Sequence, residues 1–235
     1  MSLIYTDAAL GWERHPCITQ IFSNGYSLFL SKISAMEGQA QSAPVSKKSS
    51  AAKTYTLEEY FDFEYKAEGK HEYLDGRIRA MAYTSPAHGR IQTNFMDELA
   101  QCLKAKGCMR YTSDRMVYVP QCNKIFYPDI LIVCDTETFR QHKGKMKATL
   151  NPSVIIEILS DSTEEEDRID KWGCYRTIPS LQQYLMVQQN AKSIHSYRRK
   201  SEREWDYSYA NKPEEAIAVM DCLVQVSDVY AGVEI

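Results

Sequence analysis

Two apolar runs constrain this chain most, because each carries a single acid. Residues 127–135 read YPDILIVCD and residues 152–162 read PSVIIEILSDS. Runs of this kind predict strands in the middle of a sheet. They put Asp129 near the start of one strand and Glu157 in the middle of the other. A carboxylate in such a place is costly unless something compensates its charge. If the two strands pair, the carboxylates converge at one end of the sheet. Oxygen ligands presented in this way suit Mg2+, or Mn2+, and a bound divalent ion offsets both charges. The residues alone equally allow a structural account, in which Asp129 caps a turn or accepts backbone N–H groups and Glu157 pairs with an arginine.

The surrounding pattern predicts an α/β domain. TLEE at 56–59 has the form of a capping box, with Thr56 as the cap and Glu59 reaching back to it. The helix it opens should turn Leu57, Tyr60, Phe61 and Tyr65 towards a core. HEYLDGRIRAMA at 71–82 alternates around Asp75-Gly76, the signature of a two-residue hairpin turn. From Ser85 to Gly107 runs a second helix, with Pro86 in its first turn and Ile91, Phe95, Leu99 and Leu103 as its apolar stripe. Strands are expected at 108–119, 125–134 and 153–160. A helix at 163–177 follows, opened by a Thr163/Glu166 capping box and packing Ile169, Trp172 and Tyr175. Strands at 182–187, 192–199 and 204–210 complete the pattern. This order implies a mixed β-sheet flanked by helices.

Composition narrows the class. A net charge of −3 gives no overall basic character, so any nucleic-acid surface has to be local. The seven cysteines are odd in number and have no C-x-x-C spacing, which reads as reduced thiols in a cytoplasmic protein rather than a disulfide framework or a zinc site. No segment has the ~18 apolar residues of a membrane helix. Residues 1–53 lack periodicity and end in a small, polar stretch, so they are expected to be a flexible extension, with 1–35 an upstream extension of the reading frame. The folded domain is expected at 54–235.

Several of these pieces together resemble one family. Pro128-Asp129, Glu157-Ile158-Leu159-Ser160, Ser162-Thr163, Asp167 with Lys171, Tyr175 and Tyr184 are similar in order and spacing to the Uma-two family of restriction endonuclease-like proteins, within the PD-(D/E)XK nuclease superfamily. Upstream, HEYLDGRI supplies Glu72 and Gly76, and SPAHGRI supplies His88. The resemblance implies a restriction-endonuclease-like core that hydrolyses phosphodiester bonds with Mg2+. Asp129, Glu157 and Glu72 would be metal ligands, joined by the backbone carbonyl of Ile158. The superfamily pattern sets a lysine two residues after the glutamate, where this chain has Leu159. The resemblance assigns the catalytic lysine to Lys171 instead. On its helix Lys171 also suits an i,i+4 pair with Asp167 on a solvated face, and on either account its replacement should leave folding close to wild type.

For the substrate, the basic stretch RQHKGKMK at 140–147, with Lys143 and Lys145, joins the two acidic strands and could contact phosphates, as could His88 near a helix N-terminus. A second basic cluster lies at 197–204. Either cluster also suits an ordinary solvated turn. The expected partner is nucleic acid, most simply DNA, with no membrane association and, on fold analogy, a homodimer. The alternative is a nuclease fold that binds or scaffolds without cleaving. A chain shortened to begin at Ala52 should melt within a degree or two of the full chain in a thermal scan. A large drop, or insolubility, would mean that the leader docks on the domain.

Overall fold

The computed structural model of the chain describes residues 53–160 and 167–235. The expectations for residues 1–52, and for the capping box of Thr163 and Glu166, lie outside them. Within the described residues, local sequence chemistry sets the first three elements. Helix α1 (Leu57–Glu64) starts where Thr56 Oγ accepts the Glu59 N–H at 3.1 Å and the Glu59 carboxylate accepts the Thr56 N–H at 2.8 Å. Strands β1 (His71–Leu74) and β2 (Arg77–Ala80) are joined through Asp75 and Gly76, both at positive φ (47° and 93°), the conformation a tight hairpin requires. That turn fixes the register and sets Glu72 opposite Arg79. Helix α2 (Pro86–Ala105) is capped by Ser85 Oγ, which accepts the His88 N–H, and buries the stripe Ile91, Phe95, Leu99 and Leu103 completely.

The strands then sort into two six-stranded sheets, not the single sheet that the element order suggests. The first runs β2-β1-β5-β4-β8-β7, with β4 (Val117–Val119), β5 (Lys124–Phe126), β7 (Phe139–His142) and β8 (Met146–Thr149). The second runs β12-β11-β10-β9-β6-β3, with β3 (Met109–Thr112), β6 (Ile130–Val133), β9 (Val154–Leu159), β10 (Gln183–Gln188), β11 (Ile194–Arg199) and β12 (Trp205–Ala210). Two of the runs expected as single strands divide between the sheets. Residues 125–134 give β5 and β6, and Tyr127, Pro128 and Asp129 carry the chain across. Proline has no N–H for a ladder, so the break falls where pairing would fail. Residues 108–119 divide in the same way into β3 and β4.

Other expectations are corrected. The basic stretch 140–147 is not a plain loop but the β7–β8 hairpin, turning through Lys143 and Gly144 at φ 49° and 67°. The expected helix at 163–177 is, in the described residues, a π-helical turn (Asp167–Lys171) followed by the short helix α3 (Trp172–Tyr175). Ile169 is 64% exposed instead of packed, while Tyr175 is fully buried. A further hairpin, β13 (Ala216–Val219) with β14 (Cys222–Gln225), and a final helical turn, α4 (Val226–Val229), escaped the sequence pattern. Its turn is Met220-Asp221, and Met220 takes positive φ without the glycine or asparagine that would have announced it.

The core has two main layers. On one face of the second sheet, Ile130, Ile132, Ile156, Ile158 and Leu185 meet α2 and the C-terminal elements. On the other, Leu131, Ile155, Leu159, Tyr184 and Met186 meet Val117, Val119 and Phe126 of the first sheet, with Tyr175 between them. Three disulfides, Cys102–Cys222, Cys108–Cys134 and Cys122–Cys174, overturn the expectation of reduced thiols. Their sequence separations of 120, 26 and 52 are set by which elements pack together, and no local spacing betrays them. Under denaturing, non-reducing conditions six of the seven cysteines should therefore resist alkylation. Reduction should lower stability by about 2–4 kcal/mol for a long-range bridge. Full alkylation without a reductant would contradict the pairing.

Candidate active site

The sequence pairs its two key acids through register. β6 and β9 run antiparallel with Ile130 opposite Ile156, so Asp129, one residue before β6, falls opposite Glu157 on the same face. Both are buried, Glu157 to 2% exposure. Glu72 arrives from the first sheet and is also 2% exposed. Three carboxylates thus come from two sheets to the seam between them.

Their compensation comes from three directions. Lys171 Nζ lies 3.5 Å from Glu72 Oε1 and 3.5 Å from Glu157 Oε1, tying the two sheets together. The π-helical turn that ends at Lys171 precedes Trp172, and the ammonium sits 5.8 Å from the Phe126 ring centre. Lys171 is 8% exposed, so it does not lie on a solvated helix face. Arg79 holds the other oxygen of Glu72, across the hairpin register. Asp129 Oδ2 accepts the Ile158 N–H at 2.7 Å and lies 3.0 Å from His88 Nε2. Both contacts fall on Oδ2, and neither uses Oδ1.

Two further groups fix these carboxylates in place. The Tyr175 hydroxyl donates to Glu157 Oε1 at 3.1 Å. Burial, and then the charge of Glu157, push its phenol well above the usual tyrosine range, so it remains a donor at any working pH. Gln92, one helical turn beyond His88 on α2, donates to the backbone carbonyl of Asp129 at 2.6 Å. Arg79 was legible in the sequence, since a two-residue turn at Asp75-Gly76 dictates its partner. Gln92 carried no such signal.

A cleft of about 390 Å3 opens onto this cluster, lined by Glu72, Arg79, His88, Asp129, Ile158 and Gln189 among others. The structure therefore brings together Glu72, Asp129, Glu157, Ile158, Lys171 and His88. It does not bring Lys143 and Lys145 to them. Lys143 binds Asp62 at 2.6 Å, Lys145 lies 4.8 Å from the Tyr65 ring, and their hairpin forms the far edge of the first sheet from β1. His88 faces Asp129, and its buried Nδ1 has no hydrogen-bond partner among the described residues.

A family model described as "Putative restriction endonuclease", Uma2, matches residues 57–230, most of the chain. The chain belongs to the Uma2 family. Two uncharacterized proteins of Synechocystis sp. are 31% identical over 153 residues (65% of this chain and 85% of the relative) and 32% identical over 148 residues (63% and 76%). A crystal structure of a "putative nuclease belonging to DUF820" from Anabaena variabilis aligns with a TM-score of 0.59 and 17% identity, covering 75% of this chain and 98% of that one. The Uma2 chain thus has the fold of that protein, a mixed α/β architecture with helices flanking its sheets.

The charge arrangement gives Lys171 a structural role. Removing one partner of a buried ion pair leaves an uncompensated charge and costs about 3–5 kcal/mol. Lys171→Met should thus destabilise the fold by roughly 3 kcal/mol in urea denaturation. Adding Glu72→Gln should recover part of that loss. A single variant as stable as wild type would restore the solvated-helix account and remove Lys171 from the cluster.

Proposed function

We propose that this protein is a Mg2+- or Mn2+-dependent nuclease that hydrolyses phosphodiester bonds in DNA, with Glu72, Asp129, Glu157 and Lys171 at its centre. One observation carries the reading: two carboxylates face each other across β6 and β9 while a third closes on them from the opposing sheet and a lysine from the π-helical turn. Membership of the Uma2 family supports the same reaction class.

The donor set fits a hard divalent cation. Among the described residues three carboxylates gather beside Lys171 and Arg79, and carboxylates gathered in this way favour a bound cation. Among the described residues no group of three or more acid, histidine or cysteine side chains is placed to hold a metal ion, so the ion would rest on fewer side chains. That suits Mg2+, which uses one or two carboxylates and completes its shell with water and substrate oxygens. Asp129 and Glu157 would hold it, with the Ile158 carbonyl and Glu72 beside them. Bound there, it would polarise the phosphoryl oxygen and lower the pKa of a water.

The chain's own groups do the rest. His88 and the Ile158 N–H fix one oxygen of Asp129 and leave the other for the ligand. Tyr175 fixes Glu157. Lys171 supplies a cation where negative charge grows on the phosphoryl group in the transition state, a preorganised contact of the kind worth ~10²–10³ in rate. Water attacks phosphorus and gives up a proton to solvent, the P–O bond to the leaving strand breaks, and the departing oxygen takes a proton from solvent.

Asp129→Asn and Glu157→Gln should each abolish cleavage of plasmid DNA with Mg2+ or Mn2+. Each should also remove the rise in melting temperature that metal gives the wild type, about 2.7 kcal/mol of stabilisation at a hundredfold excess over Kd. If the double variant still responds to Mn2+ as the wild type does, the metal binds elsewhere. If the wild type cuts neither DNA nor RNA with either metal, the hydrolase reading fails.

A further inference from the structure

The sheet face that carries Glu157 continues past the cleft onto β11 and β12. Register places Glu157 beside Met186, Met186 beside His195, and His195 beside Tyr209, in one row across four strands. The neighbouring row runs from Ile155 through Tyr184 and Tyr197 to Tyr207. Where the first half of each row is core, the second half is open: Tyr207 is 52% and Tyr209 58% exposed, on a strand at the sheet edge.

These side chains form a ladder of rings. His195 stacks with Tyr207 and Tyr209 at 6.0 and 6.3 Å between centres, Tyr207 with Tyr209 at 6.3 Å, and Tyr197 lies 5.1 Å from Tyr207. The Tyr207 hydroxyl and His195 Nδ1 are 2.8 Å apart, which ties the two strands' rings together. Inward, Tyr197 stacks on Trp172, the residue after Lys171, so the ladder joins the cluster through one indole. At its outer corner the Arg199 guanidinium lies 4.2 Å from the Trp205 ring, held there by the backbone carbonyls of Arg176, Ile178, Leu181 and Glu202.

We infer that this ladder is a stacking platform for unpaired bases of a nucleic-acid strand whose phosphate lies at the carboxylate cluster. The inference rests on the nuclease reading and narrows its substrate to strands with single-stranded character beside the scissile bond. Three features select this occupant over a protein. The exposed groups are aromatic rings with polar tips rather than the aliphatic side chains of a packed interface core. On β11 and β12 this face carries His195, Tyr197, Arg199, Trp205, Tyr207 and Tyr209, while the one acid of these strands, Asp206, alternates to the other face beside Arg198. With that acid turned away, β11 and β12 set no carboxylate on this face to repel a phosphate backbone. Finally, three strand spacings of roughly 4.8 Å put Tyr209 about 14 Å from Glu157 along the row, within a few nucleotides of the cluster.

The test measures binding without cleavage. The full chain is titrated in EDTA into dye-labelled oligonucleotides: single-stranded DNA, single-stranded RNA of the same sequence, and blunt duplex DNA. Wild type should bind the single strands more tightly than the duplex. Tyr207→Ala with Tyr209→Ala should weaken single-strand binding at least ~10-fold, the scale of losing base–aromatic stacking, with the duplex little changed. Tyr207→Phe with Tyr209→Phe keeps the rings and should restore binding. Comparing the two single strands tells whether the platform discriminates the sugar. Wild-type single-strand affinity in the Ala variant overturns the platform, as does a variant that only converts a dimer to a monomer in sedimentation. Because no metal is present, a wild type that binds through these rings but never cuts would sink the hydrolase reading and leave the platform standing.

Discussion

Compensation of buried negative charge is the constraint around which this fold is arranged. Glu72, Asp129 and Glu157 sit at the seam of two sheets, where an unpaired carboxylate would cost several kcal/mol. Lys171 answers two of them at once, from a π-helical turn on a segment that neither sheet contains. The seam exists because the chain changes sheets at Pro128, one residue before Asp129. The same proline that ends β5 pairing therefore delivers an acid to the boundary between the sheets. A continuous strand at 125–134 would have buried Asp129 inside one sheet, away from Glu72.

Supporting groups make this arrangement rigid. α2 contributes three functions from one face: its apolar stripe fills the core, His88 holds the Asp129 carboxylate and Gln92 holds the Asp129 carbonyl. Tyr175 is both a packing residue against Phe126 and the donor to Glu157. The Cys122–Cys174 bridge joins the turn before β5 to the residue beside Tyr175, so it fastens the Lys171 segment to the first sheet. Disulfides of this number are usual in oxidising compartments, which sets them against the cytoplasmic location expected from cysteine spacing.

Much of the site was legible because its chemistry is local. Asp75-Gly76 fixes the hairpin that carries Glu72, and Ser85 with Pro86 fixes the helix that carries His88. The paired apolar runs announced Asp129 and Glu157. What stayed hidden depends on contacts between distant segments. Nothing near Cys102 points to Cys222, and nothing in the run 125–134 beyond one proline says that it serves two sheets. The burial of Lys171 was invisible for a related reason: helical periodicity assigns it beside Asp167, whereas the π-helical turn sets it between Glu72 and Glu157. The basic hairpin at 140–147 misled in the opposite direction. It joins the acidic strands in sequence, yet β7 and β8 carry it to the far edge of the other sheet.

The divalent cation proposed at the seam between Asp129, Glu157 and Glu72 can be located without any substrate. Backbone amide spectra of isotope-labelled protein, recorded with substoichiometric Mn2+, locate the ion directly through paramagnetic broadening. An ion at the seam should broaden the amides of Asp129, Glu157, Ile158 and Glu72 most strongly, with the effect fading along β9 and β1 with distance from them. Broadening centred on surface acids such as Asp62 or Asp221, with the Ile158 amide unaffected, would contradict that placement.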